Sequence, residues 1–406
     1  MSATRAARTA LHTPAPEIPT PDEYVRRARA LLPLLREHAA AADAARTLPP
    51  EIMAAMKRAG LFRILQPSRL GGAEHGMKAM HDVVRTLAHG SSAASWILMV
   101  LLAHTWILGM FSEDAQDEIA ADDPDTLVAG SLAATGAAVK VSGGWRVTGR
   151  WPFASGCDHA RWNMMGVKVA GDGVGLPPAI HVVAPVRDYA VNDNWFSMGL
   201  KGTGSKELVL TDLFVPDHRV VPTPILYGSL SPWGERHATW LHMMPVRVGL
   251  AYHVTAPVLG LAERFLADFV ETTRVRDDKY TGARKADSPG LQLRIAESEL
   301  DIRAARLLLD TVVDGFDVLA RARRIATTDE MVEMRYTISY AVERCRGAVE
   351  RLFAAAGANA TYDSSSLQAL FRDLTVAVHH GTVDYDVNAE QFGRIRLGLP
   401  ATRPTM

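Results

Sequence analysis

Residues 143–159 read GGWRVTGRWPFASGCDH. Gly143-Gly144 predicts a tight turn, and Trp145, Val147 and Thr148 continue a strand out of it. Trp151, Phe153, Ser155 and Gly156 then arrive where such a strand would meet neighbouring elements. Two readings compete: an aromatic strand packed in a core, or the wall of a site for a flat ligand.

The surroundings supply context. VKVS before the turn, then WNMMGVKV, AIHVVAP and KELVLTDLFVP, are short strand-like runs between Gly, Pro and Asp turns, so Leu127 to Pro222 reads as a small antiparallel barrel or sandwich. Helical periodicity holds on both sides. YVRRARALLPLLREHAAAADAAR and the stretch opened by Pro49-Pro50 precede it; long helices near Val246–Thr273, Gln292–Arg324, Met331–Ala356 and Leu367–Gln391 follow, as in a bundle. The expected division is a flexible arm (1–20), an N-terminal helical domain (21–126), a β-domain (127–240), a helical bundle (241–396) and a tail (397–406).

Composition excludes several classes. The 406 residues are 48% hydrophobic, enough for more than one core layer. With 44 Lys plus Arg against 45 Asp plus Glu, no broad attraction to nucleic acid is expected. Two cysteines, Cys157 and Cys345, exclude a disulfide scaffold and fit a cytoplasmic setting, and the N-terminus has no apolar stretch of signal-peptide kind. WILMVLLAHTWILGMF (96–111) falls short of the roughly 20 residues a membrane span needs and reads as a buried helix. There is no dinucleotide fingerprint, P-loop, zinc-protease motif or nucleophile elbow. His237, His242, His253, His379 and His380 form no recognised ligand spacing with carboxylates or cysteines, so no metal site is expected.

A flavin would suit the opening stretch, because an isoalloxazine ring takes apolar walls and a few hydrogen-bonding groups near its reactive edge. Three runs carry a resemblance: WRVTGRWPFASGC (145–157), GLKGTGSKELVLTDLFVP (199–216) and LFAAAGANATYDSSSLQALFRDLTVAVHH (352–380). In order and spacing they resemble the central β-domain and the C-terminal flavin-side helix of the acyl-CoA dehydrogenase fold. This implies an α+β, acyl-CoA dehydrogenase-like chain with an N-terminal helical domain, a central antiparallel β-domain and a C-terminal four-helix bundle. The chain is most similar to the oxygenase components of two-component flavin-dependent monooxygenases (group D), which include p-hydroxyphenylacetate hydroxylase oxygenases, steroid-ring hydroxylases and the dibenzothiophene monooxygenase. That likeness implies hydroxylation of an aromatic or polycyclic, phenolic or polyketide-like substrate with O2 and reduced FMN, or FADH2, through a C4a-hydroperoxyflavin. It also implies a separate NAD(P)H-dependent flavin reductase as partner and a homotetramer.

The same resemblance distributes roles. Ser155 would sit near flavin N5, with Trp151 and Phe153 as walls and Trp96, Trp106, Trp195 and Phe196 as further apolar candidates. Gly204 and Ser205, in the Gly-Thr-Gly-Ser loop, together with Gln368 and Arg274 (Arg276 its rival), would contact cofactor. His104 in LLAHTW and His380 would be catalytic, lining the substrate pocket with Trp96 and His379. Helical spacing puts His380 on one face with Asp373 and Asp384 and His379 with Arg372, so which histidine faces the pocket stays open. A neutral imidazole at His104 would accept a phenolic proton. The pocket is expected to hold large apolar groups and few fixed charges. Two alternatives differ in chemistry: an acyl-CoA dehydrogenase, needing a carboxylate base among Asp384, Asp386 or Glu390, and a flavin-dependent N-hydroxylase of an amino sugar.

Overall fold

The computed structural model describes residues 18–121, 123–171, 175–228 and 231–402. Most of the expected arm and the last residues of the tail lie outside these. The described residues open with six α-helices: α1 (Pro21–Ala30), α2 (Leu32–Ala45), α3 (Pro50–Arg58), α4 (Met77–Ala88), α5 (Ser92–Leu108) and α6 (Glu113–Ala120). The Ser91 hydroxyl caps α5 by accepting from the Ala94 N–H. All of α5 but Val100 is buried, as a helix apolar on every side must be. Among the described residues no helix is long and apolar enough to cross a membrane.

Seven strands follow: β1 (Val128–Val141), β2 (Gly144–Ala154), β3 (Trp162–Val169), β4 (Ala179–Pro185), β5 (Ala190–Asn192), β6 (Lys206–Pro216) and β7 (Val220–Pro222). They form one sheet in the order β5-β6-β2-β1-β3-β4-β7. Gly143, at φ 74°, makes the turn that pairs Val141 with Gly144. The sheet is antiparallel except where β3 runs parallel to β1. Strand β6 occupies the free edge of β2, so the chain crosses to the far side of β1 and enters it in the same direction.

After the short α7 (Thr223–Tyr227) and an irregular segment come α8 (Val246–Arg274), α9 (Pro289–Ala322), α10 (Thr328–Ala355), α11 (Ser366–Ala377) and α12 (Tyr385–Arg396). Helix α8 is the hinge of the architecture, packing on α4 and α5 on one side and on α10 and α11 on the other. Glycines permit the close crossings: a Cβ on Gly249 would lie 2.4 Å from the Trp106 ring, and one on Gly260 2.4 Å from the Arg85 carbonyl. Phe353 and Phe371 stack at 4.1 Å between α10 and α11.

One expected helix is two. The run from Leu367 to Gln391 breaks after Ala377, and Asp384 begins α12 anew by accepting from the Val387 N–H at 3.0 Å. Gly381 and the β-branched pair Thr382-Val383 weaken the helix where an N-cap residue offers a new start. His380 therefore shares no helical face with Asp373 and Asp384.

Candidate functional site

Strand β2 does not run straight into Ser155. Phe153 has φ 64°, the Ser155 N–H donates to the Phe153 carbonyl at 2.9 Å, and the β2–β6 register slips between Trp151 and Ala154. Residues two apart share a face of a regular strand; this bulge separates them. Phe153 is thrown outward, 67% exposed and edge-on to Trp195 at 6.1 Å. Trp151 is fully buried, its N–H donating to the Gly166 carbonyl at 2.6 Å and its ring packed over Gly136 and Gly149. The expectation that Trp151 walls the cofactor is thus corrected: it is core, and Phe153 is the free aromatic face. Holding a phenylalanine in the left-handed region costs about 1–3 kcal/mol, a strain found where side chains are aimed for function.

Ser155 turns inward to a chain of hydroxyls. The Trp96 N–H donates to Ser155 Oγ at 3.1 Å, Ser155 meets Ser205 Oγ at 2.6 Å, Ser205 meets Thr203 Oγ1 at 2.6 Å, and Thr203 donates to the Leu200 carbonyl at 2.8 Å. Because a carbonyl only accepts and each hydroxyl has one proton, the direction is fixed from the Leu200 end. Ser205 donates to Thr203, and Ser155 donates to Ser205. Ser155 retains one acceptor lone pair and no free proton, which matches a ligand that offers an N–H, as reduced flavin does at N5.

The histidines expected to line a pocket differ in kind. His104, on α5, is 5% exposed; it bonds to the Val128 backbone and its Nδ1 has no partner. The bond to a carbonyl puts the ring proton on Nε2 and leaves Nδ1 as a buried lone pair. Burial pushes its pKa down to about 4, partly opposed by that bond and aided by His253 and His181 nearby. His253, on α8, stacks on Trp106 at 5.5 Å, donates from Nδ1 to the Gly249 carbonyl at 2.6 Å, and leaves Nε2 unpartnered.

His380 begins the turn after α11. The Thr382 N–H donates to its Nδ1, so the proton of the neutral ring lies on Nε2. Its ring stands 5.9 Å from Trp96, beside an open cavity of about 460 Å³ bounded by α10 and the 378–386 turn. The residue is exposed to solvent on the cavity side. His379 is exposed and turns back to the Thr375 carbonyl at 2.6 Å.

The remaining expected cofactor contacts fare differently. Ser205 is buried with its proton engaged by Thr203, and a Cβ on Gly204 would crowd Asp158 and the Arg46 carbonyl, so this loop acts through Ser155 and offers no open cradle. Gln368 donates to Asp363 at 2.9 Å and keeps a buried, unpartnered Oε1. Arg274 is exposed in the last turn of α8, whereas Arg276 donates to the Ala356 carbonyl at 3.2 Å. The dehydrogenase alternative loses its base, because Asp384, Asp386 and Glu390 are all exposed. Asp373 is a buried carboxylate, but it accepts from the Leu200 N–H at 2.7 Å; burial raises its pKa to about 6.

Sequence reading missed two cations. Arg247, at the start of α8, lies with its guanidinium 4.2 Å over the Tyr227 ring, and Arg335 on α10 is 6% exposed. The Nε of each is buried and unpartnered, and burial lowers both pKa values. Arg247 acts electrostatically on His181. The signal was an arginine set between valines in VRVGLAYHV, an apolar helix start with no acidic neighbour.

The sequence matches the family described as "Acyl-CoA dehydrogenase, N-terminal domain" over residues 28–120 and that described as "Acyl-CoA dehydrogenase, C-terminal domain" over 252–385. It is 34% identical over 377 residues to the p-hydroxyphenylacetate 3-hydroxylase oxygenase component of Acinetobacter baumannii, covering 93% of this chain and 89% of that one. The crystal structure of 3-HSA hydroxylase from Rhodococcus sp. RHA1 superposes with a TM-score of 0.89 at 32% identity, over 95% of this chain and 99% of that one. XiaF from Streptomyces sp., in complex with FADH2 and glycerol, gives a TM-score of 0.89 at 27% identity, over 95% and 98% of the two chains.

Proposed function

The chain belongs to the oxygenase components of flavin-dependent monooxygenases built on the acyl-CoA dehydrogenase fold, and on that premise we propose that it hydroxylates a phenolic ring bearing an acidic or strongly polar substituent. The observation that carries this reading is His104: a buried imidazole whose proton is fixed on Nε2 and whose Nδ1 lone pair faces no protein partner. With its pKa near 4 it is neutral at ordinary pH and too weak a base to take the phenolic proton outright, so its Nδ1 accepts a hydrogen bond from the phenolic hydroxyl, which makes the ring carbon beside the oxygen more electron-rich. Arg247 receives the substituent, an interaction that fixes the ring's orientation.

Reduced flavin, when bound, supplies two electrons with which one oxygen atom of O2 enters the ring and the other leaves as water. The residues present fit such a group. Phe153 offers an apolar face, Ser155 an acceptor for the N5–H, and Trp96 holds Ser155 in place. His380, with its proton on Nε2, donates from the cavity side. The apolar walls of α5 exclude water. Reduced FMN is the first candidate and FADH2 the second; XiaF is a neighbour that holds FADH2. The reading includes a separate NAD(P)H-dependent reductase, in keeping with the words "oxygenase component" in a relative's name, together with a homotetrameric assembly and a cytoplasmic setting.

The test is rapid mixing of the protein and photoreduced FMN or FAD with O2, with and without a phenol such as p-hydroxyphenylacetate. Slow reoxidation of protein-bound flavin, and a hydroxylated product lost in His104→Asn, are expected. Reoxidation as fast as that of free flavin, with no product from any phenol tried, would sink the reading.

A further inference from the structure

Three side chains that the proposed reaction does not use meet beyond the C-terminal end of α5. Glu74 comes from the turn before α4, and His237 and His242 from the irregular segment before α8. One donor atom from each lies within 4.8 Å of the other two. His242 is 0% exposed; its Nδ1 N–H donates to the Trp106 carbonyl at 3.0 Å and its Nε2 has no partner. His237 donates from Nε2 to the Gly109 carbonyl at 2.5 Å, leaving the lone pair on Nδ1, and the two rings stand 4.1 Å apart. Each imidazole is thereby locked by a backbone carbonyl in the tautomer that presents a lone pair, the arrangement of metal-ligating histidines.

Glu74 completes the group. Its carboxylate is buried and accepts from the Ser68 N–H at 3.0 Å and from the Thr239 N–H and hydroxyl at 3.0 and 2.9 Å. Among the described residues no Lys or Arg is within ion-pair distance of it. Its backbone is held at φ 48°, a left-handed conformation that is costly for a glutamate. A buried carboxylate therefore lies within reach of two imidazoles, each with one ring nitrogen not engaged by a backbone carbonyl.

We propose that Glu74, His237 and His242 bind a divalent transition-metal ion, for which zinc is the best match. Two imidazole nitrogens and one carboxylate oxygen suit a borderline cation and lack the oxygen-rich shell of calcium or magnesium. Ligand distances of about 2 Å require the donors to draw together by about 1 Å and leave a fourth position for water. The ion would tie the turn before α4 and the 234–243 segment to the end of α5, the helix that carries His104. The rival occupant is a proton shared between Glu74 and an imidazole.

The decisive experiment uses full-length protein without an affinity tag, stripped with chelator, loaded with zinc chloride, desalted and assayed for metal and melting temperature. About one zinc per chain and a melting temperature raised by about 2 °C or more are expected for the wild type. His242→Gln should retain less than about a tenth as much. His237→Gln, at a half-exposed position, serves the same purpose should the buried variant not fold. Wild-type protein that retains no more zinc than His237→Gln, or that melts at the same temperature with and without it, overturns the proposal and leaves the shared proton.

Discussion

The two walls of the site are built on opposite principles. Around Ser155 every donor has an acceptor, from the Trp96 N–H through three hydroxyls to the Leu200 carbonyl. Around His104 the polar atoms are left over: His104 Nδ1 and His253 Nε2 are buried with no protein partner, as is the Nε of Arg247 on the same helix as His253. A satisfied network holds a geometry whether or not a ligand is present, whereas unsatisfied buried groups carry a desolvation cost that only a ligand or bound water relieves. On the proposed reading, the β-domain side would position the cofactor edge and the helical side would take up a substrate with matching polar atoms.

The sharpest way to break this comparison is at His104. His104→Asn should lower kcat for a phenol by about 10²–10⁴-fold with flavin binding unchanged. The pH profile adds a sign. A neutral His104 is the active form, and its pKa near 4 places the acidic limb of activity well below the ordinary histidine value, so activity should stay level as pH falls through 6.5. The same shift bears on stability, because the unfolded chain binds this proton near pH 6.5 and the folded chain does not until about 4. Stability from burying neutral His104 is therefore full above 6.5 and lost as pH falls toward 4. An activity limb near 6.5 would mean that water reaches Nδ1 and that the two walls are not different in kind.

Arg247 tests the same wall with a smaller effect. Arg247→Met should raise KM about 10–100-fold for a phenol carrying a carboxylate and leave a neutral phenol unaffected, as follows from a charge-assisted bond of about 1.5–3 kcal/mol. Steady-state kinetics on two such substrates reads the difference. Equal losses on both would show that Arg247 merely packs on Tyr227.

How far the sequence reveals these walls depends on whether local or distant residues build them. The helix–sheet–helix order, the buried character of α5 and the turn at Gly143 follow from patterns within single segments. Phe153 and Ser155 are visible as a motif, but the bulge that parts Phe153 from Trp151 is not, because regular alternation puts both on one face. The helix expected to carry His380 is misread, since the local choice at Gly381 to restart at Asp384 outweighs continuous periodicity. Glu74, 163 positions before His237 in the chain, shows why spacing rules cannot find the histidine–carboxylate group: two segments far apart in sequence bring it together.

The satisfied wall yields the smallest and most discriminating effects. Ser155→Ala removes the acceptor offered to N5–H and strands the Trp96 N–H, so loss of about one hydrogen bond should raise hydrogen peroxide release per turnover about tenfold. Ser205→Ala leaves Ser155 in place but removes the acceptor for its proton. Ser155 then becomes free to rotate and donate, and leakage should rise only about threefold. A direct packing role for Ser205 against the cofactor would instead weaken flavin binding in Ser205→Ala, measurable by fluorescence titration. An effect on leakage with flavin affinity preserved would show that Ser205 acts through the proton direction of the hydroxyl chain, which makes the order within that wall, and not mere contact, its contribution to the chemistry.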